Sequence, residues 1–143
     1  MNWAEEEARS IIAKYPNKEI YTVASGISPS GYIHIGNFRE IATTYFVGEE
    51  LKKLGKKVRF IFSFDDFDRF RKVPGGIDPT FEKYIASPYT SMPSPFGTQK
   101  TYAKEMEDIF INELKELDIT PEFIFQTDEY QSGRYYPYIK MAM

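Results

Sequence analysis

Apolar residues recur every three to four positions in two stretches of the N-terminal half, which predicts two amphipathic helices. The first helix follows Asn2, a predicted N-cap whose partner three residues later is Glu5. The second helix starts near Phe38 and ends before Gly55, the predicted C′ residue. Both helices therefore carry their own start or stop signals.

The C-terminal half repeats this helical pattern twice. A third helix is predicted over residues 102–117, with Thr98 or Thr101 as its cap. A final helix is predicted from Pro137, because proline fits the first turn of a helix, and it continues to Met143.

Three short runs rich in β-branched and aromatic residues separate these helices. They cover residues 19–25, 58–64 and 122–126 and predict three strands. Strand, helix and strand with short connections imply a right-handed βαβ unit and a parallel sheet. The predicted fold class is therefore α/β.

One stretch has no such pattern. Residues 73–97 are rich in proline, serine and glycine, and a segment of this length within a compact domain is typically a functional insertion. Four aromatic residues could anchor it to the rest of the domain: Phe81, Tyr84, Tyr89 and Phe96.

Composition narrows the class of protein. The 143 residues allow one domain at most, and 42% hydrophobic residues indicate a globular chain. A net charge of -3 argues against binding nucleic acid through charge alone. The absence of cysteine excludes disulfides and thiolate metal sites in this chain.

No apolar run approaches the roughly 20 residues that span a bilayer. The acidic N-terminus is not a signal peptide. The sequence therefore predicts a cytoplasmic protein without membrane contact.

The candidate chemistry lies between the first strand and the second helix, in residues 24–37. Glycines and small hydroxyls leave backbone amides accessible there, and a helix N-terminus adds roughly half a positive charge. These features suit the phosphates of a nucleotide triphosphate, although a lone glycine-rich loop is equally typical of a tight turn. The loop residues concerned are Gly26, Ser28, Ser30, Gly31 and Gly36, and His34, the only histidine of the chain, lies among them.

The spacing Pro29-Ser30-Gly31-x-x-His34-x-Gly36-Asn37 favours function over a simple turn. It resembles the first signature of class I aminoacyl-tRNA synthetases, with Asn37 in place of the second histidine. The run that starts with Asp65 and Asp66 follows the second strand and ends at Pro74. It resembles the corresponding stretch of the class I, archaeal-type lysyl-tRNA synthetases.

This second resemblance covers essentially the whole chain, including the opening helix and the final one. It implies that residues 1–143 are the N-terminal part of a Rossmann-type catalytic domain with a HUP-like parallel sheet, here incomplete. It also implies activation of lysine with ATP and Mg²⁺ to lysyl-adenylate, followed by transfer to tRNA(Lys). The sequence indicates no oligomeric state.

The resemblance assigns roles to individual residues. His34 and Asn37 are the expected catalytic residues, because both can donate hydrogen bonds to the charged phosphorus centre of the adenylation step. Gly26 and Ser28 are expected to contact lysine, and Asp65 or Asp66 to pair with one of its ammonium groups, although holding the loop is an equally good role for either aspartate. The expected ATP-binding residues are Pro29, Ser30, Gly31, His34, Gly36 and Asn37.

Two departures from the family pattern limit the expectation. Some members carry a Cys-His pair at the positions of Thr98 and Gln99 and a histidine later in the same helix, near Lys104, so no metal site is predicted here. The second class I signature, Lys-Met-Ser-Lys-Ser, and the anticodon-binding region are absent from residues 1–143. The terminal Lys140-Met141-Ala142-Met143 belongs to the last helix and does not replace that signature.

The chain by itself is therefore expected to fold marginally and to show weak or no lysyl-tRNA synthesis. Two alternatives stay open at this point. The first is a non-catalytic fragment that binds ATP or an amino acid, and the second is a glutamyl-type class I synthetase fragment. Glutamyl enzymes share the Pro-x-Gly-x-x-His-x-Gly pattern, and the run from Asp65 to Pro74 argues against them.

Overall fold

A computed structural model describes residues 2–143 of the chain. None of the helices in this range combines the length and the apolar character that crossing a bilayer requires. The elements follow in the order α1 (Trp3–Lys14), β1 (Ile20–Ile27), α2 (Ile35–Lys53), β2 (Lys57–Phe64), two 3₁₀ helices (Pro79–Tyr84 and Tyr89–Ser91), α3 (Tyr102–Glu116), β3 (Glu122–Phe125), α4 (Gln126–Gln131) and α5 (Tyr136–Ala142).

The predicted helix signals are confirmed. The Asn2 side chain accepts a hydrogen bond from the Glu5 amide at 2.9 Å, so α1 starts where the sequence indicates. Thr101, rather than Thr98, caps α3 by accepting from the Lys104 amide at 3.2 Å. Gly55 follows α2 with a φ of +77°, a left-handed conformation that favours glycine.

The three strands form one parallel sheet in the order β1-β2-β3. Strand β1 pairs with β2 over its whole length, from Ile20 opposite Lys57 to Ile27 opposite Phe64. Strand β3 is shorter and pairs with the second half of β2. This architecture confirms the predicted α/β class and is consistent with part of a Rossmann-like domain.

Helices α1, α2 and α3 pack on one face of this sheet. The main core joins Phe62 and Phe64 of β2 to Ile41 of α2 and to Phe110 and Leu114 of α3. A second cluster joins Ala4 and Ala8 of α1 to β1 and α2. Burial of these apolar side chains, at about 25 cal/mol per Å², is the main stabilising contribution to this half of the fold.

The opposite face of the sheet is exposed within residues 2–143. Alternate residues of β1, such as Thr22 and Ala24, point to this face and are exposed. Arg59 of β2 forms a two-pronged ion pair with Glu122 of β3 on the same face, at 2.6 and 2.8 Å. Parallel sheets are usually covered on both faces, so this sheet exposes a surface that is usually buried in the class.

Residues 73–97 pack against α3 and form a core of their own. Phe81, Tyr89 and Met92 are buried there beside Tyr102 and Met106 of α3. Phe96 stays exposed but stacks on Tyr32 of the loop after β1, with ring centroids 5.8 Å apart. The aromatic residues thus anchor this segment, as expected from the sequence.

Three predicted boundaries are wrong by a few residues. Strand β1 runs to Ile27, two residues beyond the prediction, because Gly26 and Ile27 still pair with β2. Helix α2 starts at Ile35 instead of near Phe38, since the His34 side chain caps it. Gln126 opens helix α4 and does not end strand β3.

Candidate functional site

The signature loop joins the carboxyl end of β1 to helix α2 and is held by buried contacts. Pro29 is fully buried, and the hydroxyl of Tyr102 donates to the Ser30 carbonyl at 2.8 Å. A Cβ atom on Gly31 would lie 3.0 Å from the ring of Pro74. The loop therefore packs directly against the start of the segment 73–97, and glycine at position 31 permits that approach.

His34 caps helix α2 with its own side chain. Its Nδ1 accepts a hydrogen bond from the Gly36 amide at 3.1 Å. An accepting Nδ1 is unprotonated, so the neutral ring carries its proton on Nε2. The Nε2–H group is then free to donate to a phosphate oxygen. The cap also occupies the Gly36 amide, which leaves one fewer amide at the helix N-terminus for an anion.

Gly26 lies opposite Ser63 near the carboxyl end of β1. A Cβ atom at this position would lie only 2.7 Å from the Ser63 carbonyl oxygen. Glycine is thus required by the sheet itself. Ser28, two residues later, is half-buried and faces the open space at the carboxyl ends of the strands.

A large cavity, about 820 Å³, lies at these carboxyl ends. Ligands of open α/β sheets bind at this edge. Ser28 borders one side of the cavity, and we call the loop 28–31 the loop wall. The other lining residues are Asp65, Phe67, Asp68, Gln126, Tyr130, Tyr135 and Ile139.

The two adjacent aspartates after β2 face different surroundings. Asp65 lines the large cavity, and burial together with the charges of Asp68 and Asp66 raises the pKa of its carboxyl group. Asp66 is 4% exposed, and its Oδ1 accepts a hydrogen bond from the Thr127 amide at 2.8 Å. Asp65 is therefore the aspartate that faces a potential ligand, whereas Asp66 contacts the protein interior.

Sequence reasoning missed the far side of the cavity. Gln126, Tyr130 and Tyr135 line it, and we call these three residues the α4 wall. Tyr135 donates to Gln126 Oε1 at 2.8 Å, and Gln126 Nε2 donates to Ser63 Oγ at 2.7 Å. Helix α4 has six residues, too few for a periodic pattern to reveal it.

Other predicted site residues border smaller cavities, one of which adjoins the large cavity through Ser28 and Asp68. His34 lines an apolar groove of about 290 Å³ with Phe38 and Phe110. Ser30 lines a cavity of about 260 Å³ that also contains Arg71 and Lys72. Gly36 and Asn37 lie in the first turn of α2, Gly36 exposed and Asn37 half-buried. The structure thus brings Ser28 and Asp65 together but does not gather the whole predicted set into one cavity.

No group of three or more histidine, cysteine or acidic side chains within residues 2–143 is arranged to hold a metal ion. At the positions where the resemblance raised a zinc site, Thr98 and the Gln99 amide donate to the buried carboxylate of Glu105, as does Ser94. Burial alone would raise the pKa of Glu105, but these hydrogen bonds hold it below its ordinary value. The Glu105 carboxylate therefore holds residues 94–99 in place by accepting hydrogen bonds from them.

A parallel sheet with a glycine-rich loop after its first strand and a histidine at the start of the next helix is the arrangement that the resemblance to class I aminoacyl-tRNA synthetases implies. The family model described as tRNA synthetases class I (K) matches residues 1–143, and the chain belongs to this family. The match extends over the whole chain, including the segment 73–97.

Curated relatives agree with this assignment. The lysine--tRNA ligase of Thermococcus kodakarensis is 42% identical over 143 residues, which is 100% of this chain and 27% of the relative. That of Pyrococcus furiosus is 41% identical over 99% of this chain and 27% of its own length. That of Treponema pallidum is 42% identical over 100% of this chain and 28% of its own length. The chain thus spans about a quarter of these relatives, which are lysine enzymes and not glutamyl enzymes.

Proposed function

We propose that this segment binds ATP and lysine as part of a lysine--tRNA ligase, which activates lysine and transfers it to tRNA(Lys). The observation that carries the proposal is the position of Ser28 and Asp65. Both line one cavity at the carboxyl ends of β1 and β2, and Ser28 directly precedes the class I signature in the sequence. The relatives are named lysine--tRNA ligases, and this name is the basis for proposing lysine and tRNA as the substrates.

ATP is proposed to lie along the signature loop. His34 Nε2 and the side-chain amide of Asn37 would donate hydrogen bonds to phosphate oxygens. These bonds would strengthen as negative charge grows in the transition state. Pro29, Ser30 and Gly31 shape the loop, and Gly36 keeps the first turn of α2 free of a side chain. Mg²⁺ is proposed to arrive on the ATP phosphates, and no residue of the chain is assigned to it.

Lysine is proposed to enter the large cavity. Its ammonium groups need an acidic partner, and Asp65 provides a carboxylate at the cavity surface. An ammonium ion bound there would lower the raised pKa of Asp65, because an opposite charge favours the ionised form. Ser28 borders the same cavity, and Gly26 ends the strand that leads to it, so both lie on the expected side of the substrate.

Calorimetric titration of the 143-residue chain with ATP and Mg²⁺, and then with lysine, tests this proposal. We expect lysine to bind and glutamate not to bind, with lysine affinity reduced about tenfold or more by Asp65→Asn. We expect His34→Ala and Asn37→Ala to weaken ATP binding, whereas Asn17→Ala, in the exposed turn after α1, leaves it unchanged. Preference for glutamate, or ATP affinity indifferent to both signature variants, would overturn the proposal.

Lysine-dependent ATP–pyrophosphate exchange separates binding from turnover. We expect weak exchange or none from residues 1–143, because the lysines of the second signature, which stabilise pyrophosphate in the family, are not among them. Exchange at the rate of a complete enzyme would show that this segment holds all the groups that lysine activation requires. The expected need for the lysines of the second signature would then be wrong.

A further inference from the structure

Two buried carboxyl groups lie side by side behind the large cavity. Asp66, after β2, is 4% exposed, and Glu107, on α3, is 3% exposed. Both line a separate cavity of about 290 Å³ together with Thr127. Within residues 2–143, Glu107 Oε1 and Thr127 Oγ1 are buried without a hydrogen-bond partner. The signature site uses neither of these atoms. The burial of the two carboxyl groups, Asp66 and Glu107, therefore needs an explanation of its own.

Asp66 connects this pair to helix α4. The residue before α4, Phe125, has no side chain that can cap the helix. Asp66 Oδ1 instead accepts the Thr127 amide hydrogen at 2.8 Å, across 61 positions of sequence. The start of α4 is therefore attached to the end of β2 by this carboxyl group. Because Gln126 and Tyr130 lie on α4, the α4 wall depends on the same attachment.

The surroundings of Glu107 favour its protonated form. Burial, the charge of Asp66 and the charge of Asp108 raise the pKa of Glu107 to about 8, while Lys104 opposes them. From α4, Asp128 also lines the cavity and adds a further acidic group. A buried oxygen without a partner costs much more when it carries charge than when it is neutral. Glu107 is therefore neutral near pH 7.

We propose that Glu107 and Asp66 are positioning residues, because this buried pair together holds the start of α4 and with it the α4 wall of the large cavity. Neutral Glu107 allows Asp66 to stay buried beside it and to keep accepting from Thr127. Loss of the Glu107 proton would place two negative charges side by side in the interior, and the bond to Thr127 would weaken. The consequence for lysine binding rests on the proposed function, whereas the effect on α4 does not.

Nuclear magnetic resonance of the unsubstituted 143-residue chain tests the effect on α4 without any ligand. The carboxyl carbon of Glu107 and the amide of Thr127 are followed between pH 5 and 9.5. We expect the Glu107 resonance to titrate near pH 8 and the Thr127 amide to shift with the same midpoint. Titration of Glu107 near its ordinary value of 4.5, or a Thr127 amide that ignores the Glu107 midpoint, would overturn the proposal.

Substitution identifies Glu107 as the group responsible. In Glu107→Gln, hydrogen-exchange protection of the α4 amides should stay constant between pH 7 and 9. In the unsubstituted chain, this protection should fall roughly tenfold over the same range. The reason is that about a tenth of Glu107 keeps its proton one pH unit above its pKa. Glu116→Gln, an exposed substitution on the same helix, should behave as the unsubstituted chain. Glu107→Met, equally uncharged, should also remove the pH dependence. An equal loss of protection in all four proteins contradicts the proposal.

The pH dependence of lysine affinity gives a second test. If Glu107 had a purely structural role, lysine affinity would not change with the protonation of Glu107. The ratio of the Glu107→Gln affinity to that of the unsubstituted chain, taken at each pH, cancels the titration of lysine itself. We expect a ratio near one at pH 7 that rises to roughly ten at pH 9. A flat ratio would show that the α4 wall does not contribute to lysine binding. If lysine binds at no pH while Thr127 follows Glu107, the proposed function fails and the positioning role stands.

Discussion

The two walls of the large cavity are built by different means. The loop wall follows β1 directly, and buried Pro29 and the bond from Tyr102 to the Ser30 carbonyl hold its backbone. The α4 wall is attached mainly through side chains, from Asp66 to Thr127 and from Ser63 to Gln126. The sequence pattern reveals the first wall, although its hydrogen bond comes from Tyr102, 72 positions away. No pattern reveals the second wall, whose bonds to the end of β2 span 61 and 63 positions.

This difference has a consequence for stability. The loop wall is anchored by the burial of Pro29 as well as by a hydrogen bond, so its geometry persists while that packing stays intact. Groups held by a few side-chain hydrogen bonds, each contributing about 1 kcal/mol, shift when one bond is lost. We therefore expect the α4 wall to be the more easily perturbed of the two. The following predictions test this comparison, from the largest effect to the smallest.

Phe64→Ala should remove the support of both walls together. The Phe64 ring is fully buried at the end of β2 and stacks on Phe123 and Phe125 of β3, with centroids 5.9 and 5.6 Å apart. Truncating a buried phenylalanine costs about 3 to 5 kcal/mol, so cooperative urea unfolding should be lost. Phe46→Ala, where the ring is 51% exposed, should cost less than about 1 kcal/mol. Equal costs would contradict the assigned core.

Glu107→Gln should change how stability depends on pH. Between the ordinary glutamate pKa and about 8, the folded chain keeps a proton on Glu107 that the unfolded chain releases, so the free energy of unfolding falls as pH rises. Glu107 should contribute a fall of roughly 2 to 3 kcal/mol between pH 5.5 and 8. Urea unfolding at several pH values measures the fall, which should be that much smaller in the variant. Parallel curves for the two proteins would contradict the prediction.

Gly26→Ala should disturb the end of β1, two residues before the loop wall begins. The new Cβ atom would lie 2.7 Å from the Ser63 carbonyl oxygen, a backbone atom that can move away only by separating β1 from β2. We expect a loss of about 1 to 3 kcal/mol in urea unfolding. Gly75→Ala is the matched control, because its Cβ would meet no atom within 4 Å. A Gly26 variant as stable as the Gly75 variant would show that the two strands separate without cost.

Tyr135→Phe should affect the α4 wall alone. It removes the hydroxyl that donates to Gln126 Oε1 and leaves the bond from Gln126 to Ser63 in place. The expected cost is about 0.5 to 1.5 kcal/mol, with faster hydrogen exchange in α4 and no change in the loop 28–31. Tyr138→Phe, at a position 68% exposed, should change neither quantity. Equal changes in both walls would show that they are one cooperative unit.

Much of the fold was predictable because its signals are local. Asn2, Thr101 and Gly55 mark helix ends through contacts with residues a few positions away, and the structure confirms all three. The three strands were found because their apolar runs are bounded by turn residues. The boundaries failed where a tertiary contact overrode the local pattern, as where β1 pairs with β2 through Ile27.

The candidate site was predictable only on one side. The glycines and small hydroxyls of residues 24–37 predict a phosphate-binding loop, and the spacing from Pro29 to Asn37 resembles the first class I signature. The choice between Asp65 and Asp66 was open, because neighbours in sequence carry no information about which of them faces a cavity. Burial of Asp66 against α4 and exposure of Asp65 to the cavity distinguish them.

By itself, then, the sequence determined the α/β class, the family and the loop that carries its first signature. These depend on residue types and spacings within single elements and loops, and on the order of those elements along the chain. Only the tertiary structure decided that Gln126, Tyr130 and Tyr135 form the opposite wall and that Glu107 lies buried beside Asp66. The physical reason is that burial and side-chain pairing across some 40 to 60 positions arise when the sheet and α3 pack together, and no local pattern encodes them.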